Sequence, residues 1–155
     1  MPQHSLLYLD PHNAEHTPLI VNGLNMGNDW DSAELAADYI EQGVSNLCRW
    51  NAEVIVLQEA NEPLAMTAWY ATRGPELIGL ASINYVYTAK QQRRLGYGAL
   101  VIHAAEDRAR ERGFQHIWLS SVRSAVPFYE ALTYRVPDGE TLGKMLTRMT
   151  KDLTD

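Results

Sequence analysis

The sequence predicts an α/β fold of the α+β kind: a mixed, mostly antiparallel central sheet of about seven strands with helices on both faces. Three observations lead there. Of the 155 residues, 46% are apolar and 21% charged, which suits one domain spanning residues 1–155 with its own core and argues against disorder. Apolar residues recur at helical spacing before residue 50, then give way to three successive β-branched runs. Beyond these, helices and short strands alternate to the end of the chain.

Leu6 to Leu9, stopped by Asp10-Pro11, reads as a first strand. Thr17-Pro18 opens a short helix, with Thr17 as its cap and Pro18 at its first position. Asp31 and Glu34 have capping-box spacing before Leu35, Ala36, Tyr39, Ile40, Val44 and Leu47, which predicts a second helix from about Ser32 to Leu47, bent at Gly43. Glu53–Glu59 and Leu64–Ala71 form a hairpin about the turn Asn61-Glu62-Pro63. The turn Arg73-Gly74-Pro75 leads into a longer strand, Ile78–Thr88. Tyr97, Leu100, Val101, Ala104, Ala105 and Ala109 then share one face of an amphipathic helix that Gly113 ends. Phe114–Ser121 is a strand, and Ser124–Leu132 a short helix with Pro127 in its first turn or bending it. Tyr134–Val136 and Lys144–Thr150 close the sheet around Asp138-Gly139.

Charge is unevenly spread. The net charge is −6, yet residues 1–65 hold ten acids and one base, Arg49. The remainder is net basic, so one half suits a cationic ligand and the other an anionic one. The N-terminus lacks the basic start and apolar run of a secretory signal. No stretch approaches the roughly 18 apolar residues of a membrane span. Cys48 is the single cysteine and cannot form an internal disulfide. A soluble, cytoplasmic protein that binds neither membrane nor nucleic acid is therefore expected. His12, Glu15 and His16 have one-turn spacing, but without a helical His-Glu-x-x-His or a cysteine cluster they predict no metal. His103 interrupts the apolar helix and reads as a rim residue, while Trp30 in a polar loop is a candidate pocket wall.

The chemically informative segment is Arg93-Arg94-Leu95-Gly96-Tyr97-Gly98-Ala99, between the long strand and the amphipathic helix. Unpaired N–H groups at a helix start attract anions, and glycines at 96 and 98 let a phosphate approach the backbone. The arginine pair adds forked donors for phosphate oxygens. A flexible turn before a helix fits the same residues. No Gly-Lys-Ser/Thr triplet occurs, and Val101 stands where a dinucleotide fingerprint needs its third small residue.

Arg93-x-x-Gly96-x-Gly98 resembles the Gln/Arg-x-x-Gly-x-Gly/Ala signature of the GNAT acetyltransferases. Phe128-Tyr129-Glu130-Ala131-Leu132-Thr133-Tyr134 is similar to the Phe-Tyr-Glu-x-Leu-Gly-Phe/Tyr segment of the same family, with Thr133 in place of the glycine. Val122 stands where many members place a coenzyme-contacting asparagine, and Lys90 where proline is common. The resemblance covers about Leu77 to Val136. It implies the GNAT fold and an enzyme, an N-acetyltransferase that moves the acetyl group of the cosubstrate acetyl-CoA directly to a primary amine, without metal. It also allows a non-catalytic acyl-CoA-binding module. By the resemblance, Val86, Tyr87 and Thr88 offer backbone groups to the pantetheine arm, and the loop from Arg93 and Arg94 through Leu95, Gly96, Tyr97, Gly98 and Ala99 holds the pyrophosphate. Tyr129 is implied as the acid that protonates the departing thiolate, though core packing suits it too. The family's usual strand glutamate is not evident. Glu59 and Glu53 are the fallback bases, and both also read as solvated hairpin ends. The resemblance implies that the first two helices wall the acceptor site. As they lie in the acidic half, a cationic small-molecule or peptide amine is expected. A homodimer is compatible with the reading.

Overall fold

The computed structural model describes residues 3–27, 32–72, 79–92, 95–137 and 146–154. Its elements are β1 (His4–Leu9), α1 (Thr17–Leu24), α2 (Ala33–Arg49), β2 (Glu53–Glu59), β3 (Glu62–Ala71), β4 (Leu80–Thr88), α3 (Tyr97–Glu111), β5 (His116–Val122), α4 (Val126–Ala131) and β6 (Leu146–Asp152). The six strands lie in chain order, all neighbours antiparallel except β4 and β5. The seventh strand expected at Tyr134–Val136 is reduced to one bridge, Arg135 to Thr150. Pro137 follows at once and has no N–H to extend a ladder. The turn at Asp138-Gly139, Lys144, the turn at residues 73–75, Ile78, Asp31 and Trp30 lie outside the described residues.

Strand alternation places a core on each face of the sheet. Val54, Val56, Met66 and Ala68 meet Ile20, Leu24 and Leu47 of α1 and α2. Ile55, Leu57, Ala65 and Trp69 meet Val101, Ile102 and Ala105 of α3 on the other face, with Tyr129 of α4 in the same cluster. Ser32 caps α2, its Oγ accepting the Leu35 N–H at 3.1 Å. His16, not Thr17, precedes α1, and its Nδ1 accepts the Asp10 N–H at 2.9 Å. Gly43 bends nothing: α2 is continuous there, and a side chain would meet Leu24 of α1 at 3.1 Å. The hairpin turn falls at Ala60-Asn61, both with positive φ, one step before the expected place. No helix among the described residues is long and apolar enough to cross a membrane.

α4 ends at a strained residue. Thr133 has φ +70°, and Tyr134 N–H returns to Tyr129 O at 3.0 Å. This is the left-handed helix stop that glycine normally fills, held here by a β-branched residue. Thr133→Gly is expected to stabilise the protein by about 1 kcal/mol, read from its urea midpoint.

Candidate functional site

β4 and β5 run together only at Leu80–His116, Ala81–Ile117 and Ser82–Trp118. Beyond Ser82 the strands fork. The divergence has a local cause in β4, where one extra residue is inserted between its pairings with Met66 and Ala68 of β3. Tyr85, inside this bulge, has φ +56°. A bulge adds twist and turns a strand away from its neighbour, and a bulky residue with positive φ marks strain. Tyr85 is held from α2, where Asn46 Nδ2 donates to its hydroxyl at 3.1 Å. The fork opens a cleft of about 560 Å³ between β4, β5 and α4, lined in part by Val86, Tyr87, Ser121, Ala125 and Tyr129.

Tyr129 is 7% exposed. Its ring packs edge-on against Phe128 (5.0 Å between centroids) and Tyr134 (5.9 Å). Burial pushes its phenol up to about 12. Behind it lies a buried charge cluster. Glu106 of α3, 1% exposed, accepts from the Tyr134 hydroxyl at 2.8 Å and from Lys151 Nζ at 3.0 and 3.1 Å. Burial, then the Glu106 carboxylate, raises the Tyr134 phenol as well. No reading of the sequence singled out Glu106. The signal was an acid three residues after His103 on a helix, which spacing alone assigns to solvent.

At the head of α3, Gly96 has φ +84° with open space where a side chain would stand. Among the described residues the amides of Tyr97, Gly98 and Ala99 in the first turn have no helical partners, and the first helical bond is Leu100 N–H to Gly96 O at 3.2 Å. Gly98 serves packing. A Cβ there would stand 3.1 Å from Thr88 Oγ1 and 3.3 Å from Phe128 Cζ. In Gly98→Ala the Thr88 hydroxyl and the Phe128 ring must each give by a few tenths of an ångström, so the variant is expected to forfeit the gain of about 1 kcal/mol that alanine ordinarily brings to a helix, read from a denaturation curve. Arg93 and Arg94 lie outside the described residues.

The fork thus gathers Val86, Tyr87 and Tyr129 in one cleft, and Gly98 joins it to the head of α3 through Thr88 and Phe128. The two fallback carboxylates fall elsewhere. Glu59 ends β2 at the hairpin, 3.8 Å from His4 Nε2, and is not among the residues lining the cleft. Glu53 accepts from Arg108 at 2.6 and 2.9 Å and from Trp69 Nε1 at 2.9 Å. Burial works against the Glu53 carboxylate, but these donors hold its pKa below the usual value. It is a structural ion pair. The two histidines of the one-turn set have partners of their own: His12 Nε2 lies 2.9 Å from Asn51 Oδ1, and His16 Nδ1 accepts the Asp10 N–H. His103 is half exposed on α3, 3.3 Å from Glu106.

The Acetyltransferase (GNAT) family model matches residues 24–134, so this chain belongs to the GNAT acetyltransferase family. No curated protein sequence matches it. Solved structures agree in fold. An N-acetyltransferase from Staphylococcus aureus Mu50 superposes with TM-score 0.68 at 11% identity, over 98% of this chain and 99% of its own. A GCN5-related N-acetyltransferase from Ralstonia eutropha JMP134 gives 0.68 at 17% identity, over 92% and 99%. The PaiA N-acetyltransferase of Thermoplasma acidophilum, solved with coenzyme A, gives 0.68 at 13% identity, over 97% and 99%.

Proposed function

We propose that this protein transfers the acetyl group of acetyl-CoA to a primary amine within the β4–β5 fork. The observation that carries the reading is the fork itself: a strand edge left unpaired beyond Ser82, with Tyr129 lining the same cleft. The pantetheine arm lies along the open edge of β4 at Val86, Tyr87 and Thr88, in the place of a missing strand. The pyrophosphate sits on the first-turn amides of α3, from Leu95 to Ala99, with Arg93 and Arg94 as its cationic neighbours. The amine attacks the thioester carbonyl directly, and a backbone N–H of β4 near Thr88 polarises that carbonyl. The C–S bond breaks as the C–N bond forms, and Tyr129 gives its proton to the leaving sulfur. Burial that raises the phenol also raises a thiol in the same cleft, so donor and acceptor stay matched. The ammonium proton leaves through water in the open mouth, because neither Glu59 nor Glu53 reaches the cleft.

The acceptor arrives as an ammonium ion. The acids Glu34, Asp38 and Glu41 stand on the exposed face of α2, where they favour the approach of a cation without lining the cleft. The protein works in the cytoplasm, where acetyl-CoA is at hand. Calorimetry with acetyl-CoA, followed by thiol release in a screen of primary amines, tests the proposal. Binding with amine-dependent release supports it. Binding with no release from any amine favours a non-catalytic acyl-CoA-binding module, and absence of binding overturns both.

A further inference from the structure

The bulge that turns β4 away from β5 needs support. Of the non-glycine residues with positive φ among those described, Tyr85 is the one inside a strand. Asn51, Ala60, Asn61 and Thr133 lie at turns or helix ends. A bulky residue keeps such a backbone only where its surroundings over-determine it. Two ties lie within the sheet. Asn84 Oδ1 accepts the Tyr85 N–H at 2.8 Å, and Thr67 Oγ1 donates to Asn84 O at 3.4 Å. Neither holds the Tyr85 side chain.

That side chain is held from α2. Tyr39, Asn46 and the C-cap Trp50 follow at intervals of seven and four residues, which sets them on one stripe of the helix. Tyr39 meets the Tyr85 ring edge-on with 6.5 Å between centroids, and Trp50 lies 6.1 Å from it. Trp50 is itself stacked on Tyr70 of β3 at 4.7 Å. Asn46 supplies the polar contact, its Nδ2 donating to the Tyr85 hydroxyl at 3.1 Å. The direction of this bond is fixed. Arg49 Nη2 donates to Asn46 Oδ1 at 2.7 Å, and a guanidinium has no acceptor, so the amide oxygen faces Arg49 and the amide nitrogen faces Tyr85. Turning the amide over would set two donors face to face.

Resting on the acetyl-transfer reading, we infer that Asn46 is a positioning residue: through the Tyr85 hydroxyl it holds the β4 bulge in the bent form that presents Val86, Tyr87 and Thr88 to the coenzyme. Asn46 is not among the residues lining the cleft, whereas Tyr85 is, so it acts through Tyr85. Without this bond β4 spends part of its time in forms that do not match the coenzyme, and apparent affinity falls with the matching fraction. Saturating coenzyme restores the bent form, so turnover at saturation survives.

Asn46→Ala and Tyr85→Phe remove the same bond, the second while keeping the ring contacts. Each is expected to weaken acetyl-CoA binding in calorimetry about five-fold and to raise KM for acetyl-CoA alike, with kcat within about two-fold of the parent. The double variant should lose no more than either single one. Should Asn46→Ala fold poorly, Tyr85→Phe alone carries the test. Ser32→Ala is the control for stability. It removes the cap at the far end of the same helix, so it should lower the urea midpoint and leave coenzyme affinity unchanged. Unchanged affinity in Asn46→Ala and Tyr85→Phe, an equal loss in Ser32→Ala, a fall in kcat with affinity kept, or additive losses in the double variant would overturn the positioning role while acetyl transfer stands. A parent protein that does not bind acetyl-CoA would overturn both.

Discussion

Tyr129→Phe is expected to lower kcat by about 10²-fold or more while coenzyme affinity stays near that of the unaltered protein. The ring remains, so its contacts with Phe128 and Tyr134 at the fork remain. Only the proton is lost. Stopped assays of thiol release alongside calorimetric titration separate the two effects, and an equal fall in affinity and turnover would mean that the hydroxyl only packs. The pH dependence carries a second signature. An ordinary tyrosine is half ionised at pH 10, but burial holds Tyr129 protonated to about 12. An alkaline loss of activity assigned to this phenol should therefore lie well above pH 10. The sign for stability follows. The folded state binds this proton more tightly than the unfolded chain, so the contribution is complete below pH 10 and is lost as pH rises toward 12. Urea midpoints at pH 9 and 11 should fall for the parent protein and fall less for Tyr129→Phe.

Glu106→Ala is expected to destabilise the fold by about 3–5 kcal/mol, the largest stability effect of any single change considered. The carboxylate takes three short contacts, two from Lys151 and one from Tyr134. Its removal leaves an ammonium only 14% exposed without its anion, and a buried hydroxyl without its acceptor. Replacing both charges at once, as Glu106→Leu with Lys151→Met, should recover much of the loss. A double variant no more stable than Glu106→Ala would show that the cluster does more than neutralise itself. Tyr134 packs edge-on against Tyr129 with 5.9 Å between centroids, so on the proposed role of Tyr129 turnover should fall in Glu106→Ala even where the protein is folded.

The elements could be read from the sequence because each obeys a local rule. Leu35, Tyr39 and Leu47 have helical spacing, and Glu53–Glu59 buries alternate residues on two cores, so both were placed to within a few residues. The start of α3 and the short helix that carries Tyr129 could be placed because their motifs lie on contiguous residues. What sequence could not supply was distance across the sheet. Glu53 reads as a hairpin end, yet Arg108 reaches it from 55 residues away. Glu106 reads as a solvated helix position, yet Lys151 reaches it from 45 residues away. Tyr70 of β3, Ser82 of β4 and Trp118 of β5 are neighbours only through strand register, which no local pattern encodes. Gly98 reads from sequence as room for a phosphate, whereas the side chains that crowd it, Thr88 and Phe128, lie on other elements.

The parting of β4 from β5 also exposes main-chain groups in the middle of a sheet, where nearly all others are spoken for. Such an edge invites any extended chain to zip onto it, the hazard that usually confines free edges to the outside of a protein. Here the inviting edge lines a cleft between β5 and α4, where a slender thread such as the pantetheine arm of the proposed function can take the place of a strand. In deuterium exchange, those amides of β4 beyond Ser82 that face away from β3 should label quickly in the empty protein and fall silent when such a thread is laid against them.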